Sequence, residues 1–185
     1  MAEVEQSEDL GKLNSIMKRK LLEWWVEKLS CSALITRFFP FQQPPILLLA
    51  YPRSGSSWIA EVLSHSPGLA YLREPIHQAL TQKHQLDAVI DPCRDDWTEK
   101  RYRRYARRAF RGAAPCKVKE VIHNPWDFLP RGRSRKQLLI KEVNTLAATY
   151  LIDHHHPTTL ILLRHPAAVA DSFQRLGWLQ SNWEQ

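Results

Sequence analysis

The run Tyr51-Pro52-Arg53-Ser54-Gly55-Ser56-Ser57-Trp58 concentrates groups that recognise an anion. It lies between an apolar stretch, Ile46-Leu47-Leu48-Leu49-Ala50, and a segment with helical spacing. A strand that turns directly into a helix leaves the first helical N–H groups without partners and points the positive end of the helix dipole at the turn. Gly55 allows a close backbone approach, Ser54, Ser56 and Ser57 add hydroxyl donors, and Arg53 adds charge. The same serines would also suit a plain helix cap. The loop lacks the G-x-x-x-x-G-K-[ST] pattern of a nucleotide-triphosphate P-loop.

Three further constellations carry polar chemistry at the ends of apolar runs. Leu160-Ile161-Leu162-Leu163-Arg164-His165-Pro166 ends in an arginine that can fork two donors onto a phosphate, and Pro166 suits a first helical turn. Ser172, about two turns further on, can add a hydroxyl if the turn folds back. Tyr71-Leu72-Arg73-Glu74-Pro75 sets a carboxylate just past a second apolar run, beside Arg73 as an alternative ion-pair partner. Leu138-Leu139-Ile140-Lys141-Glu142-Val143-Asn144 carries a lysine at the end of a third. His77 follows Glu74 by one helical turn and would share its face. The adjacent His154, His155 and His156 point in different directions from a helix end, which disfavours a metal site.

The elements that position these residues alternate. Strands are predicted over 46–50, 69–72, 137–140 and 158–163, and helices over 57–65 and 144–153, the signature of a doubly wound α/β fold with a central parallel sheet flanked by helices in three layers. Ligands in that architecture sit at the carboxyl ends of the strands, where all four constellations fall. Residues 10–39 read as one or two amphipathic helices, in which Trp24, Trp25 and the Lys18-Arg19-Lys20 run suit packing on a core, on a sister subunit or in a lipid interface. Between 91 and 135 the pattern changes to an insertion or cap. Its helix, expected over 95–111, has Trp97, Tyr102, Tyr105 and Phe110 on one face and arginines mostly on the other, as a solvated surface or an anionic contact. The division is thus a segment 1–43 followed by one domain, 44–185.

Length and composition agree. The chain has 185 residues, 44% of them apolar, and a formal charge of +7. That excludes extensive disorder and favours an acidic partner. No run is long enough to span a membrane, and the acidic N-terminus reads as no secretory signal. Cys31, Cys93 and Cys116 form neither a disulfide framework nor a zinc motif, so a reducing cytoplasm is the expected compartment.

The loop 51–58 resembles the 5′-phosphosulfate loop of the sulfotransferases that use 3′-phosphoadenosine 5′-phosphosulfate (PAPS). The segment Arg164 to Ser172 is similar to that family's 3′-phosphate motif, and Glu74-Pro75 resembles an element of its carbohydrate-type members. The resemblance spans 46 to about 177 and mixes types: Trp58 looks cytosolic-type, whereas Arg53 and Glu74-Pro75 look carbohydrate-type. It implies a P-loop-NTPase-like sulfotransferase fold and sulfuryl transfer by in-line displacement to a hydroxyl or amine of a small-molecule or carbohydrate acceptor, without a metal. It implies that Trp58 stacks on adenine, that Arg53, Ser54, Gly55, Ser56 and Ser57 hold the 5′-phosphosulfate, and that Arg164 and Ser172 hold the 3′-phosphate. Glu74 is then the general base, Lys141 and Arg53 stabilise developing charge, and His77 can assist. Val143 stands roughly where cytosolic-type members carry a catalytic histidine, which shifts the base role further to Glu74. Such proteins usually continue to a Gly-containing loop, so ending at Gln185 implies a truncated chain, with a weak adenosine-phosphate-binding module as the alternative. A P-loop-like nucleotide kinase lacks its lysine here, and nucleic-acid binding through 95–111 is the remaining reading.

Overall fold

The computed structural model describes residues 20–22, 24–25, 29, 32–87, 89–113 and 121–177. The expected N-terminal amphipathic helix and the expected 91–135 insertion thus lie only partly within the described residues, the latter without its residues 114–120; of the cysteines, Cys93 is described and is exposed and free.

Helix α1 (Ala33–Phe38) leads into strand β1 (Ile46–Ala50), followed by helix α2 (Ser56–Ser64), β2 (Leu69–Arg73), α3 (Pro75–His84) and α4 (Asp96–Ala109). A 3₁₀ turn (Pro125–Phe128) and the short helix α5 (Pro130–Arg133) then precede β3 (Gln137–Glu142). A second 3₁₀ turn (Thr145–Ala147) opens helix α6 (Ala148–His155), before β4 (Thr158–Leu162) and α7 (Pro166–Arg175). The four strands form one sheet in the order β2-β3-β1-β4, every pair parallel. The fold is a mixed α/β fold with helices on both faces of that sheet.

Strand alternation divides the core in two. Leu47, Leu49, Leu72, Leu138 and Ile140 face α3, α4 and α6 and join Ile76, Tyr102 and Leu151 in the larger cluster. Leu48, Tyr71 and Leu139 face the opposite way, against Ala60 of α2. The apolar face of α4 (Tyr102, Tyr105, Ala106 and Ala109) belongs to the larger cluster, so the segment expected as an insertion or cap contributes to the main core. Its start is capped by Asp95, whose carboxylate accepts the Thr98 N–H at 2.8 Å.

The continuous apolar run of β1 is buried from Leu47 to Ala50, as a central strand requires, and β2 and β3 are buried but for half-buried first residues and the exposed Arg73. At β4, Leu160 and Ile161 are exposed, because among the described residues this strand pairs on one side only, with β1. The opposite edge strand, β2, is partly covered by an antiparallel bridge between Leu72 and Ile122. No helix among the described residues is long and apolar enough to cross a membrane.

Candidate functional site

The β1–α2 loop is shaped by two residues in the left-handed region, Arg53 (φ 68°) and Gly55 (φ 88°). Nothing lies within 4 Å of a Cβ placed on Gly55, so glycine is required there for its backbone angle rather than for space. Gly55 is the residue that starts α2, and its carbonyl accepts the N–H groups of Trp58 and Ile59 at 3.1 and 3.2 Å. The amides of the first turn are thereby turned into the loop. Ser54 and Ser56 are buried, while Ser57 and Trp58 are exposed, the indole at 73%.

Two segments widely separated in sequence lock this loop. Arg164 donates to the Arg53 carbonyl at 2.9 Å, and the Arg53 Nε–H donates to Ser172 Oγ at 3.0 Å. The loop and the start of α7, which look like independent motifs in the sequence, therefore form a single structure at the carboxyl ends of β1 and β4. Helix α7 begins with Pro166, and the side chain of His165 caps it by accepting the Ala167 N–H at 3.2 Å.

Glu74 and Lys141 meet beside the same loop. Arg73 and Lys141 stand opposite each other in the β2–β3 register, and the Glu74 N–H donates to the Lys141 carbonyl at 2.7 Å. The Lys141 ammonium, buried, pairs with Glu74 Oε1 and reaches Ser57 Oγ at 3.4 Å. Glu74 thus pairs with Lys141, where the sequence offered Arg73 as its alternative partner. Glu74 also adopts φ 47°, which ends β2 and starts α3 within one residue. Its second oxygen lies 3.9 Å from His77 Nε2. Burial holds the His77 imidazole below its ordinary pKa, against the opposing pull of the Glu74 carboxylate.

These side chains line one cavity of about 450 Å³, walled by the 52–58 loop, Arg73, Glu74, His77, Lys141, Val143 and Arg164. Arg53, Gly55, Ser56, Ser57, Trp58, Glu74, Lys141 and Arg164 all reach it. Ser54 instead faces an adjoining apolar cavity of about 400 Å³ with Ile161, Val169 and Phe173, and Ser172 enters only through its bond to Arg53. Four basic side chains against one carboxylate make the larger chamber an anion receptor, with Glu74 and the His77 imidazole as proton acceptors at its wall.

Two residues that matter here escaped the sequence reading. Arg73 was noted only as a partner for Glu74, although its place at the end of β2 aims it at the cavity. Glu142 was passed over. Strand alternation sends it to the opposite face from Lys141, where it is fully buried and its Oε1 accepts the Ile76 N–H at 2.7 Å. Burial pushes its carboxyl up to about 8, with the Ile76 hydrogen bond pulling the other way. Glu142 therefore anchors the first turn of the helix that Glu74 starts.

Among the described residues no group of three or more His, Cys, Asp or Glu is arranged to hold a metal ion. Comparison with protein-family models, with curated proteins and with solved structures finds no match to this chain.

Proposed function

We propose that the chain binds PAPS at the loop cavity and transfers its sulfuryl group to a hydroxyl or amine acceptor of small-molecule or carbohydrate type. The observation that carries this reading is the meeting of the Glu74–Lys141 pair with the Arg53–Arg164–Ser172 lock around one cavity. The residues suit the donor: four cations and a hydroxyl-rich helix start match its phosphates and sulfate, and the exposed Trp58 ring at the rim offers a face for adenine. Arg53, Ser56 and Ser57 would hold the 5′ side, and Arg164 with Ser172 the 3′ side.

PAPS supplies an activated sulfur whose bond to the phosphate oxygen breaks as the acceptor oxygen or nitrogen bonds to it. The protein's share is placement and charge. Glu74 takes the proton leaving the acceptor, and Lys141, held between Glu74 and Ser57, stabilises negative charge on the oxygens in transit. Arg53 stabilises the departing phosphate. His77, held neutral by burial and 3.9 Å from the second Glu74 oxygen, stands close enough to assist it as a second base.

Calorimetric titration with 3′-phosphoadenosine 5′-phosphate, with ATP as control, tests the donor site. Micromolar binding that prefers the bisphosphate and disappears in Arg164→Ala is expected; equal preference for ATP with magnesium-dependent turnover would replace this reading with a kinase. In a sulfuryl-transfer assay, Arg53→Ala should lose about 3 kcal/mol of transition-state stabilisation, more than a hundredfold in kcat/KM. Glu74→Gln keeps an acceptor for the Lys141 ammonium, so it should bind the bisphosphate normally while turnover collapses. Lost binding in that variant would make Glu74 structural.

A further inference from the structure

A second charged chamber lies away from the loop. Arg37 of α1 and Arg104, Arg107, Arg108 and Arg111 on and just after α4 line a cavity of about 790 Å³. The four α4 positions recur at i, i+3, i+4 and i+7, one stripe of a helix whose other stripe is buried in the core. No carboxylate lines this groove among the described residues, and no ion pair there holds Arg104, Arg107 or Arg111. Guanidinium groups gathered this way repel one another, and an anion between them relieves that repulsion.

The groove is remote from the donor cavity. It shares Thr36, Pro40 and Arg111 with a smaller void that reaches Pro45 and Leu138, at the amino ends of β1 and β3, whereas the loop cavity sits at the carboxyl ends. Its edge is also apolar. On α1, Leu34 and Phe38 are exposed on either side of the groove-lining Thr36 and Arg37, and Phe39 is exposed just beyond. Leu29, whose carbonyl accepts the Ser32 N–H at 2.9 Å, is exposed as well, as are Trp24 and Trp25. A soluble polyanion would satisfy the arginines and leave these side chains in water. A membrane carrying anionic headgroups accepts both kinds of group, the apolar ones at the acyl boundary and the cations among the phosphates.

We propose that this end of the molecule docks on an anionic membrane surface, with the α4 arginines on lipid phosphates and Leu34 and Phe38 in the interface. Docking there leaves the donor cavity facing away from the bilayer.

Flotation of the full chain with vesicles of phosphatidylcholine alone, or of phosphatidylcholine mixed with phosphatidylserine, tests it. Binding is expected only to the mixed vesicles and should weaken as salt rises. Arg104→Gln with Arg111→Gln should weaken it about thirtyfold, and Leu34→Ser with Phe38→Ser should weaken it severalfold. Both pairs are exposed, and unchanged circular dichroism and bisphosphate binding would show that fold and donor site survive. Equal binding to neutral vesicles, or undiminished binding by the arginine variant, overturns the proposal. So does tight capture of tripolyphosphate or duplex DNA that competes with vesicles while the Leu34/Phe38 variant binds vesicles normally, since the groove then serves a soluble polyanion.

Discussion

Lys141 and Glu142 are adjacent in sequence and serve different helices. One turns to the α2 face and holds Ser57 and Glu74; the other turns to the α3 face and holds the Ile76 amide. Because Glu142 is protonated up to about pH 8 in the folded chain, the unfolded chain gives up that proton first. Between the ordinary carboxylate range and about pH 8, the native state binds more protons than the unfolded one, and stability falls as pH rises by up to about 1.4 kcal/mol per unit. His77 and His155 work in the opposite sense, since burial lowers both, His155 to about 4, and the native state loses stability as pH falls below the usual histidine range. The Glu142 contribution is therefore isolated by a difference: denaturant melts of the wild type and Glu142→Gln across pH 5 to 8 should diverge steadily, with the variant gaining relative stability as pH rises. A Gln carbonyl still accepts the Ile76 N–H, so the loss of that slope, not of the anchor, is what the comparison reads. Nothing in the string Lys141-Glu142 announces these separate duties. They depend on which face of a strand each residue takes, and on which helix the fold lays over that face.

Each element junction at the carboxyl end of the sheet is closed by a specific polar clasp. Asn144, buried just after β3, accepts the Ile90 N–H at 3.1 Å and donates to the Ile90 carbonyl at 2.8 Å, tying the approach to α4 onto the end of the strand. Asn144→Ala would leave both backbone groups of Ile90 buried without these partners, and chemical denaturation should show a loss of about 2 to 3 kcal/mol. The same residue explains why the helix expected over 144–153 starts late: the clasp holds Asn144 outside it, and a 3₁₀ turn intervenes. Local signals made the β1 and α2 elements readable, because an apolar run, Arg-Ser-Gly-Ser-Ser and a helical pattern sit within a few residues of one another. The approach of Glu74 to Lys141, or of Arg53 to Ser172, was not readable as contact. It follows from the strand order β2-β3-β1-β4, which rests on pairings between distant segments. An apolar run also looks the same in a central strand and at an edge, hence the exposed face of β4.

At the scale of the whole molecule the charges are sorted to two ends of one sheet, a set of mixed sign around the loop cavity at the carboxyl ends of the strands and an arginine groove at the amino ends. Arg133 links the groove to the core: fully buried, it donates to the carbonyls of Phe128, Arg111 and Gly112 at 2.6 to 2.9 Å. The left-handed backbone of Arg53 has a different kind of reach. A non-glycine residue there costs about 1 to 2 kcal/mol, and its exposed side-chain contacts, the bond to Ser172 among them, offset only part of that, while the bond from Arg164 goes to the main chain and would outlast any change of side chain. Arg53→Gly should accordingly melt at a higher temperature than the wild type while losing sulfuryl transfer. Heat tolerance and turnover then pull this one position in opposite directions. A library of variants sorted only by survival on heating would drift toward chains that fold better and do nothing, and the first sign of that drift would be glycine at 53.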